Sequence, residues 1–196
     1  MLKRFFSSAR RLARGESGLA AIEFALIAPV MLLSLLGAVE VSNAMLSDRK
    51  ATQVASTLAD LVSQDTNVTD AEMVSIFSAG TAVLFPVSPS DVGMCVSSIV
   101  ADAQGRTTVA WSNGRGMAAR AVGSRIAIPA GMVTPGGSVI YAEIRFTQNS
   151  TFGDAFSGLD QFFNGSTDAS LKSGWTITDQ FFLRPRRSLT VTRSST

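Results

Sequence analysis

Two residues near the amino terminus have types and spacing that could do chemistry: Gly18 and, five positions later, Glu23. Glu23 lies in a long apolar run, where an ionised carboxylate is costly unless it is paired with a cation or reaches water. Carboxylates in such runs usually serve a function. The simpler interpretation is that Glu23, which is close to one end of the run, extends to the aqueous interface.

The rest of the sequence offers little catalytic chemistry. The chain contains no histidine, which excludes Ser-His-Asp triads and histidine metal sites. GxxxxGK and GxSxG motifs are also absent. Cys95 is the single cysteine, and its place in the alternating apolar pattern of a predicted strand favours a buried, unpaired thiol. We therefore expect no enzymatic activity, no cofactor and no metal. An exported enzyme is the least favoured function.

Residues 19–41 form the apolar run, and Glu23 and Glu40 are its only charged residues. A membrane-spanning helix needs about 20 mostly apolar residues, so we predict one transmembrane helix here. By the positive-inside rule, the basic residues before the run place the N-terminus in the cytoplasm. These residues are Lys3, Arg4, Arg10, Arg11 and Arg14.

The predicted organisation has three parts: a basic cytoplasmic leader at 1–18, the transmembrane helix at 19–41 and an extracytoplasmic α+β domain at 42–196. Basic and acidic residues balance after residue 41. A nucleic-acid-binding domain needs a clustered basic face, so no nucleic-acid partner is expected. The alternative is a secretory signal peptide, because residues 42–44 fit a small-x-small cleavage site.

The sequence from Gly18 to Phe24, GLAAIEF, resembles the processing site of type IV pilin-type precursors. The resemblance implies that a prepilin-type peptidase cuts between Gly18 and Leu19. Glu23 is then the fifth residue of the mature chain, and its carboxylate neutralises the terminal amine of a neighbouring subunit. Alternatively, the leader is kept and the whole N-terminus serves as an anchor.

A longer stretch, from Glu23 to about residue 62, resembles the TadE/TadG-like proteins of tight-adherence (Flp-type) pilus systems. Phe24, Pro29 and Gly37 occupy characteristic places of that pattern. The resemblance implies a non-enzymatic inner-membrane component. Its implied partners are membrane lipid and other pilus assembly proteins, including pseudopilins. The chain is long and has Glu-Phe where major Flp pilins have Glu-Tyr, which favours a minor, pseudopilin-like role.

Beyond the run, the pattern predicts an α+β fold in which a small antiparallel sheet packs on the long N-terminal helix. Apolar spacing over 51–62 predicts an amphipathic helix, either continuous with the membrane helix or separated from it near Asn43. Thr69 and Glu72 form a capping box for a helix over 70–80 that Gly80 ends. Strands are predicted at 92–101, 107–111, 125–128, 138–147, 175–183 and 188–192, with 113–116 flexible and 152–174 a loop anchored by phenylalanines.

Three arginines near the C-terminus, Arg184, Arg186 and Arg187, are candidates for contact with an acidic partner or with lipid headgroups. The simpler interpretation is a solvated strand end. A second function remains open at this point, namely a membrane-anchored ligand-binding or sensor domain. That function would need a pocket between helix and sheet.

Overall fold

The structure is a computed structural model that describes residues 16–85, 87–129, 131–153, 157–158, 161, 165 and 174–194. The chain divides into two compact units, Met1–Asn43 and Ala44–Thr196, here called the N-terminal and C-terminal units. The basic residues of the predicted leader, from Lys3 to Arg14, lie outside the described residues. The domain boundaries at 18 and 41 stay predictions.

Helix α1, Glu16–Ser63, runs from the N-terminal unit into the C-terminal unit without a break at Asn43. The continuous form of the two predicted alternatives is therefore the observed one. The helix passes through Pro29, which contributes no backbone N–H. The hydroxyls of Ser34 and Ser42 donate to the carbonyls of Val30 and Ala38, four residues earlier, so these polar side chains are satisfied within the helix.

In the C-terminal unit, α1 buries one face at helical spacing, as the sequence predicts. This buried stripe consists of Ala51, Val54, Ala55, Leu58, Ala59 and Val62. Small residues alternate with larger ones along it, which lets a sheet pack closely against the helix. Val68, Met73, Phe77 and Leu84 extend the same core.

The sheet has four antiparallel strands in the order β3-β2-β4-β5. They are β2 Val92–Ala101, β3 Thr107–Arg115, β4 Ser138–Gln148 and β5 Trp175–Leu183. A second, two-stranded parallel sheet joins β1, Asn67–Thr69, to β6, Thr192–Ser194. The predicted α+β class, with a long apolar N-terminal helix and a small antiparallel sheet, is confirmed.

The predicted bounds of the strands are wrong where pairing between residues far apart in the sequence determines them. Residues 113–116 were expected to be flexible, yet 113–115 belong to β3 and pair with 94–96 of β2. A Cβ on Gly114 would lie 2.3 Å from the carbonyl oxygen of Met117, so this glycine permits close backbone approach. Residues 125–128 form only an isolated bridge, from Arg125 to Thr108. The last strand lies at 192–194 rather than 188–192, because Thr192 pairs with Asn67.

Most of the predicted 152–174 loop lies outside the described residues, including Phe156, Phe162 and Phe163. Phe152 is half-buried. The described residues Gly153, Ser157, Gly158 and Gln161 are helical, so the expectation of an irregular loop is wrong at these positions.

Helix α2, Asp70–Val83, begins at the predicted capping box. The hydroxyl of Thr69 accepts from the Glu72 N–H at 3.3 Å, and the Glu72 carboxylate accepts from the Thr69 N–H at 2.8 Å. These hydrogen bonds hold the pKa of Glu72 below its usual value. Gly80 does not end the helix: it is buried inside α2, which continues to Val83.

Close packing explains this glycine. A Cβ on Gly80 would lie 2.9 Å from Sδ of Met94, 3.2 Å from Leu58 and 3.3 Å from Val54. The residue lies where α2 meets α1 and the sheet. Its lack of a side chain therefore allows these elements to pack closely and does not serve to form a turn.

We predict that Gly80→Val destabilises the C-terminal unit by about 1–3 kcal/mol through overpacking, although helix propensity alone favours the change. The measurement is denaturant unfolding of the full chain in detergent, followed by the fluorescence of buried Trp111. Ala79→Val, at the adjacent exposed position, is the control, with an expected cost of about 0.5 kcal/mol from propensity alone. A Gly80→Val chain as stable as the wild type would contradict this packing account.

Candidate functional site

The first candidate site, formed by Gly18, Leu19 and Glu23, lies on α1 in the N-terminal unit. The peptide bond between Gly18 and Leu19 is within helical backbone. Leu19, Glu23 and Phe24 are exposed. Glu23 forms no hydrogen bond or ion pair with any part of the chain that the structure describes.

The surface around Glu23 is apolar on every side of the helix. The exposed residues include Leu19, Ile22, Phe24, Leu26, Ile27, Val30, Met31, Leu32, Leu33, Leu35 and Val41. A helix that is apolar all round is normally buried in protein or in lipid. Within the described chain, nothing buries the most apolar stretch of this helix, and no other helix there is long and apolar enough to cross a membrane. The segment fits a single-pass membrane anchor.

Pro29 and Gly37, predicted from the family pattern, both lie inside this exposed part of α1. A Cβ on Gly37 would meet no atom within 4 Å. The described chain gives no packing reason for a glycine at this position.

The second candidate site, the C-terminal arginines, is partly occupied by contacts within the C-terminal unit. Arg184 donates to the carbonyls of Met132 at 2.7 Å and Gly131 at 2.9 Å. Arg186 forms an ion pair with Asp60 at 2.5 Å, and its backbone N–H donates to the carbonyl of Ser63. Arg186 thus fixes the chain after β5 to the end of α1, and Arg184 ties it to the loop at residues 131–132.

Arg187 differs from its neighbours. It is exposed, and it forms no hydrogen bond or ion pair within the described residues. Of the three arginines, it is the one whose guanidinium is free for a partner. Its contact with an acidic partner or lipid stays a prediction.

Arg193, which no local pattern in the sequence singles out, is the most connected arginine of the C-terminal unit. Its side chain is largely buried and forms an ion pair with Asp70. It also donates to the carbonyl of Val68 at 3.0 Å and to the Asn113 side chain at 2.9 Å. Arg193 thereby links β6 to β1, α2 and β3.

The outer face of the sheet carries a polar cluster around Arg120. Its guanidinium donates to Glu143 at 2.5 Å and to the Tyr141 hydroxyl at 3.2 Å. Burial raises the pKa of Tyr141, with a contribution from the Glu143 carboxylate, so the hydroxyl stays protonated at neutral pH. It donates to Gln180 at 2.9 Å.

Cys95 lies beside this cluster and is buried, as the sequence predicts. Its Sγ is 3.3 Å from the Ser112 hydroxyl. The cluster pairs its carboxylate, Glu143, with the guanidinium of Arg120. It connects the segment after β3 to the sheet, because the Arg120 N–H also donates to the Ser112 hydroxyl at 2.9 Å.

An open groove of about 400 Å³ lies between α2 and the end of β3. Met73, Val74 and Phe77 give it an apolar wall, and Arg115 and Arg193 line its other side. Both arginines already have partners, since Arg115 donates to Ser78 at 3.2 Å and Arg193 pairs with Asp70. No group of three or more potential metal-ligating side chains occurs in the part of the chain that the structure describes.

One comparison with known proteins gives a match. The model of a family described as TadE-like protein matches residues 18–60. The match includes Gly18, Glu23, Phe24, Pro29 and Gly37, and it ends within the buried stripe of α1. No curated protein sequence and no solved structure matches the chain. The predicted resemblance is confirmed for this segment.

We predict that Arg193→Ala destabilises the C-terminal unit by about 1–3 kcal/mol, because it leaves the part-buried acceptors on Val68 and Asn113 without their donor and removes the ion pair with Asp70. Arg187→Ala removes the same side chain from an exposed position without such contacts and should change stability by less than about 0.5 kcal/mol. Denaturant unfolding of the full chain in detergent measures both. Equal losses in the two variants would refute the structural role of Arg193.

Proposed function

We propose, from the TadE-like segment at residues 18–60, that this chain is a non-enzymatic, membrane-anchored component of the assembly machinery of a Tad (Flp-type) pilus. The match indicates involvement in Tad pilus assembly. The observation that carries the proposal is the coincidence of that match with the part of α1 that is apolar on all sides and left uncovered by the described chain.

The finer proposal is that the chain is a minor, pseudopilin-like subunit of the inner membrane. Its N-terminus lies in the cytoplasm and its C-terminal unit on the other side. The basic residues before α1 support this orientation. The C-terminal unit makes protein contacts. Arg187, which is exposed and has no partner among the described residues, is the candidate cation for them.

Glu23 supports the pseudopilin-like role through its electrostatics. An unpaired carboxylate in hydrocarbon is strongly disfavoured, so a cation from another molecule stabilises it there. A prepilin-type peptidase that cuts after Gly18 would create a terminal amine on each subunit. That amine and the Glu23 of a neighbouring subunit then form the pair that α1 alone lacks.

The second candidate is a membrane-anchored ligand-binding or sensor domain, and the groove between α2 and β3 is the observation in its favour. The groove is open to solvent. Its residues Asp70 and Arg193 neutralise each other, and Arg115 adds a positive charge. The two functions differ in their need for Glu23, which a sensor does not use.

We predict that the mature chain begins at Leu19 in cells that carry a prepilin-type peptidase. Gly18→Ala should abolish this processing, because the substitution adds a side chain to the residue that precedes the cut. The measurement is mass spectrometry of the N-terminal peptide from membrane fractions. Gly37→Ala, the same change elsewhere on α1, serves as the control and should be processed normally.

The Glu23→Gln variant distinguishes a role of Glu23 in processing from a role in assembly. If Glu23 neutralises a neighbouring subunit, this variant is cut after Gly18 but is lost from the complexes that crosslinking captures in the wild type. Glu40→Gln, the same change at the other carboxylate of the apolar run, is the control. A chain that begins at Met1 contradicts the pseudopilin-like role, and a chain that begins at Met45 contradicts the membrane anchor itself.

A further inference from the structure

The C-terminal unit has two ends that its own contacts define. At the end here called the proximal end, the Ser47 hydroxyl of α1 donates to Gln148 at 2.9 Å. Gln148 ends β4 and pairs with Trp175, the first residue of β5. Lys50, one turn further along α1, donates to the carbonyl of Phe85 at 3.0 Å.

The distal end lies at the other end of the same elements. The Ser138 hydroxyl, at the start of β4, donates to the carbonyl of Leu189 at 2.8 Å. The backbone N–H of Arg186 reaches Ser63, the last residue of α1. Since β4 has 11 residues, a strand rise of about 3.3 Å per residue separates the two ends by roughly 30 Å.

Exposed apolar and aromatic side chains gather at the proximal end. Phe85 is 79% exposed and Trp175 is 37% exposed. Met45 and Leu46, which are adjacent on α1, are also exposed. Arg49 and Lys50 add two positive charges beside them. Aromatic rings together with lysine and arginine are the side chains typical of a bilayer interface, where an apolar body and a polar tip are both satisfied.

The short stretch of chain between the predicted transmembrane segment and Met45 keeps the proximal end near the membrane. The predicted transmembrane segment ends at residue 41, and Met45 follows four residues later. Even a fully extended chain of four residues spans at most about 14 Å. Met45 and Leu46 therefore lie close to the headgroup layer, whatever the angle between the two units.

We propose that the proximal end of the C-terminal unit sits in the lipid headgroup layer. Phe85, Trp175, Met45 and Leu46 insert at the boundary with the acyl chains, and Arg49 and Lys50 contact phosphate groups. The unit is then held against the bilayer by its own surface as well as by its tether. This proposal rests on α1 being the membrane anchor of the proposed function.

The experiment uses the full chain, reconstituted in phosphatidylcholine and phosphatidylglycerol vesicles that contain acyl-brominated phosphatidylcholine. Bromine quenches tryptophan only at short range. The chain has two tryptophans, and Trp111 is buried in the core. Trp175 fluorescence should be quenched by brominated lipid, and Trp175→Phe should lose most of this quenching while Trp111 emission remains.

A matched pair of reporters tests the two ends. Phe85→Trp and Leu189→Trp are built in the Trp175→Phe background, because Phe85 and Leu189 are equally exposed, at 79% each. Phe85 lies at the proximal end and Leu189 at the distal end. Brominated lipid should quench the new tryptophan of Phe85→Trp, whereas aqueous iodide alone should quench that of Leu189→Trp.

Vesicle flotation under alkaline conditions separates the two proposals. If the chain floats as an integral protein and both reporters respond only to iodide, the proximal end does not contact lipid and the inference is overturned, while the anchor stands. If the chain does not float, the anchor fails, and the inference fails with it. Selective lipid quenching at Phe85→Trp in floating vesicles supports the inference.

Discussion

The contact between the buried stripe of α1 and the inner face of the sheet is the interaction on which the C-terminal unit depends. Val54, Leu58 and Val62 pack there with Met94 and Ile144, and each fully buried side chain of this kind contributes about 1.5–3 kcal/mol. The same helix is apolar all round in the N-terminal unit. One helix therefore satisfies two different surroundings: one part is buried on a single face by protein, and the other suits lipid on every face.

Residues near the C-terminus stabilise this packing of helix and sheet through polar contacts. Arg186 binds the last turn of α1, and Arg193 joins β6 to β1 and α2. Gly114 lets two backbone segments approach closely, and Gly80 leaves room for the side chains of Met94, Leu58 and Val54. The C-terminal unit is thus fixed by a few close contacts between distant segments. These contacts also hold in place the segments that carry its exposed features, namely the groove, Arg187 and the proximal end.

Local patterns allowed the fold class to be predicted, because they are complete within a few residues. The Thr69 and Glu72 pair set the start of α2. The strands predicted at 92–101, 138–147 and 175–183 match β2, β4 and β5 to within one residue. The candidate site rests on a local pattern of the same kind, since Gly18 and Glu23 are five positions apart, and it stays a prediction. Contacts between residues far apart in the sequence have no such local pattern. Nothing near Gly80 in the sequence indicates that Met94 lies above it, and nothing near Asp70 points to Arg193, 123 residues away.

The pairing of β1 with β6 has a consequence for the order of folding. Thr192 bonds to Asn67 across 125 residues, and contacts of such separation are intrinsically slow to form because a long loop must close first. Residues 67–69 emerge early in synthesis and stay without their partner strand until residue 194 has followed. A partly synthesised chain therefore carries an open strand edge next to an apolar helix, the kind of surface that chaperones shield.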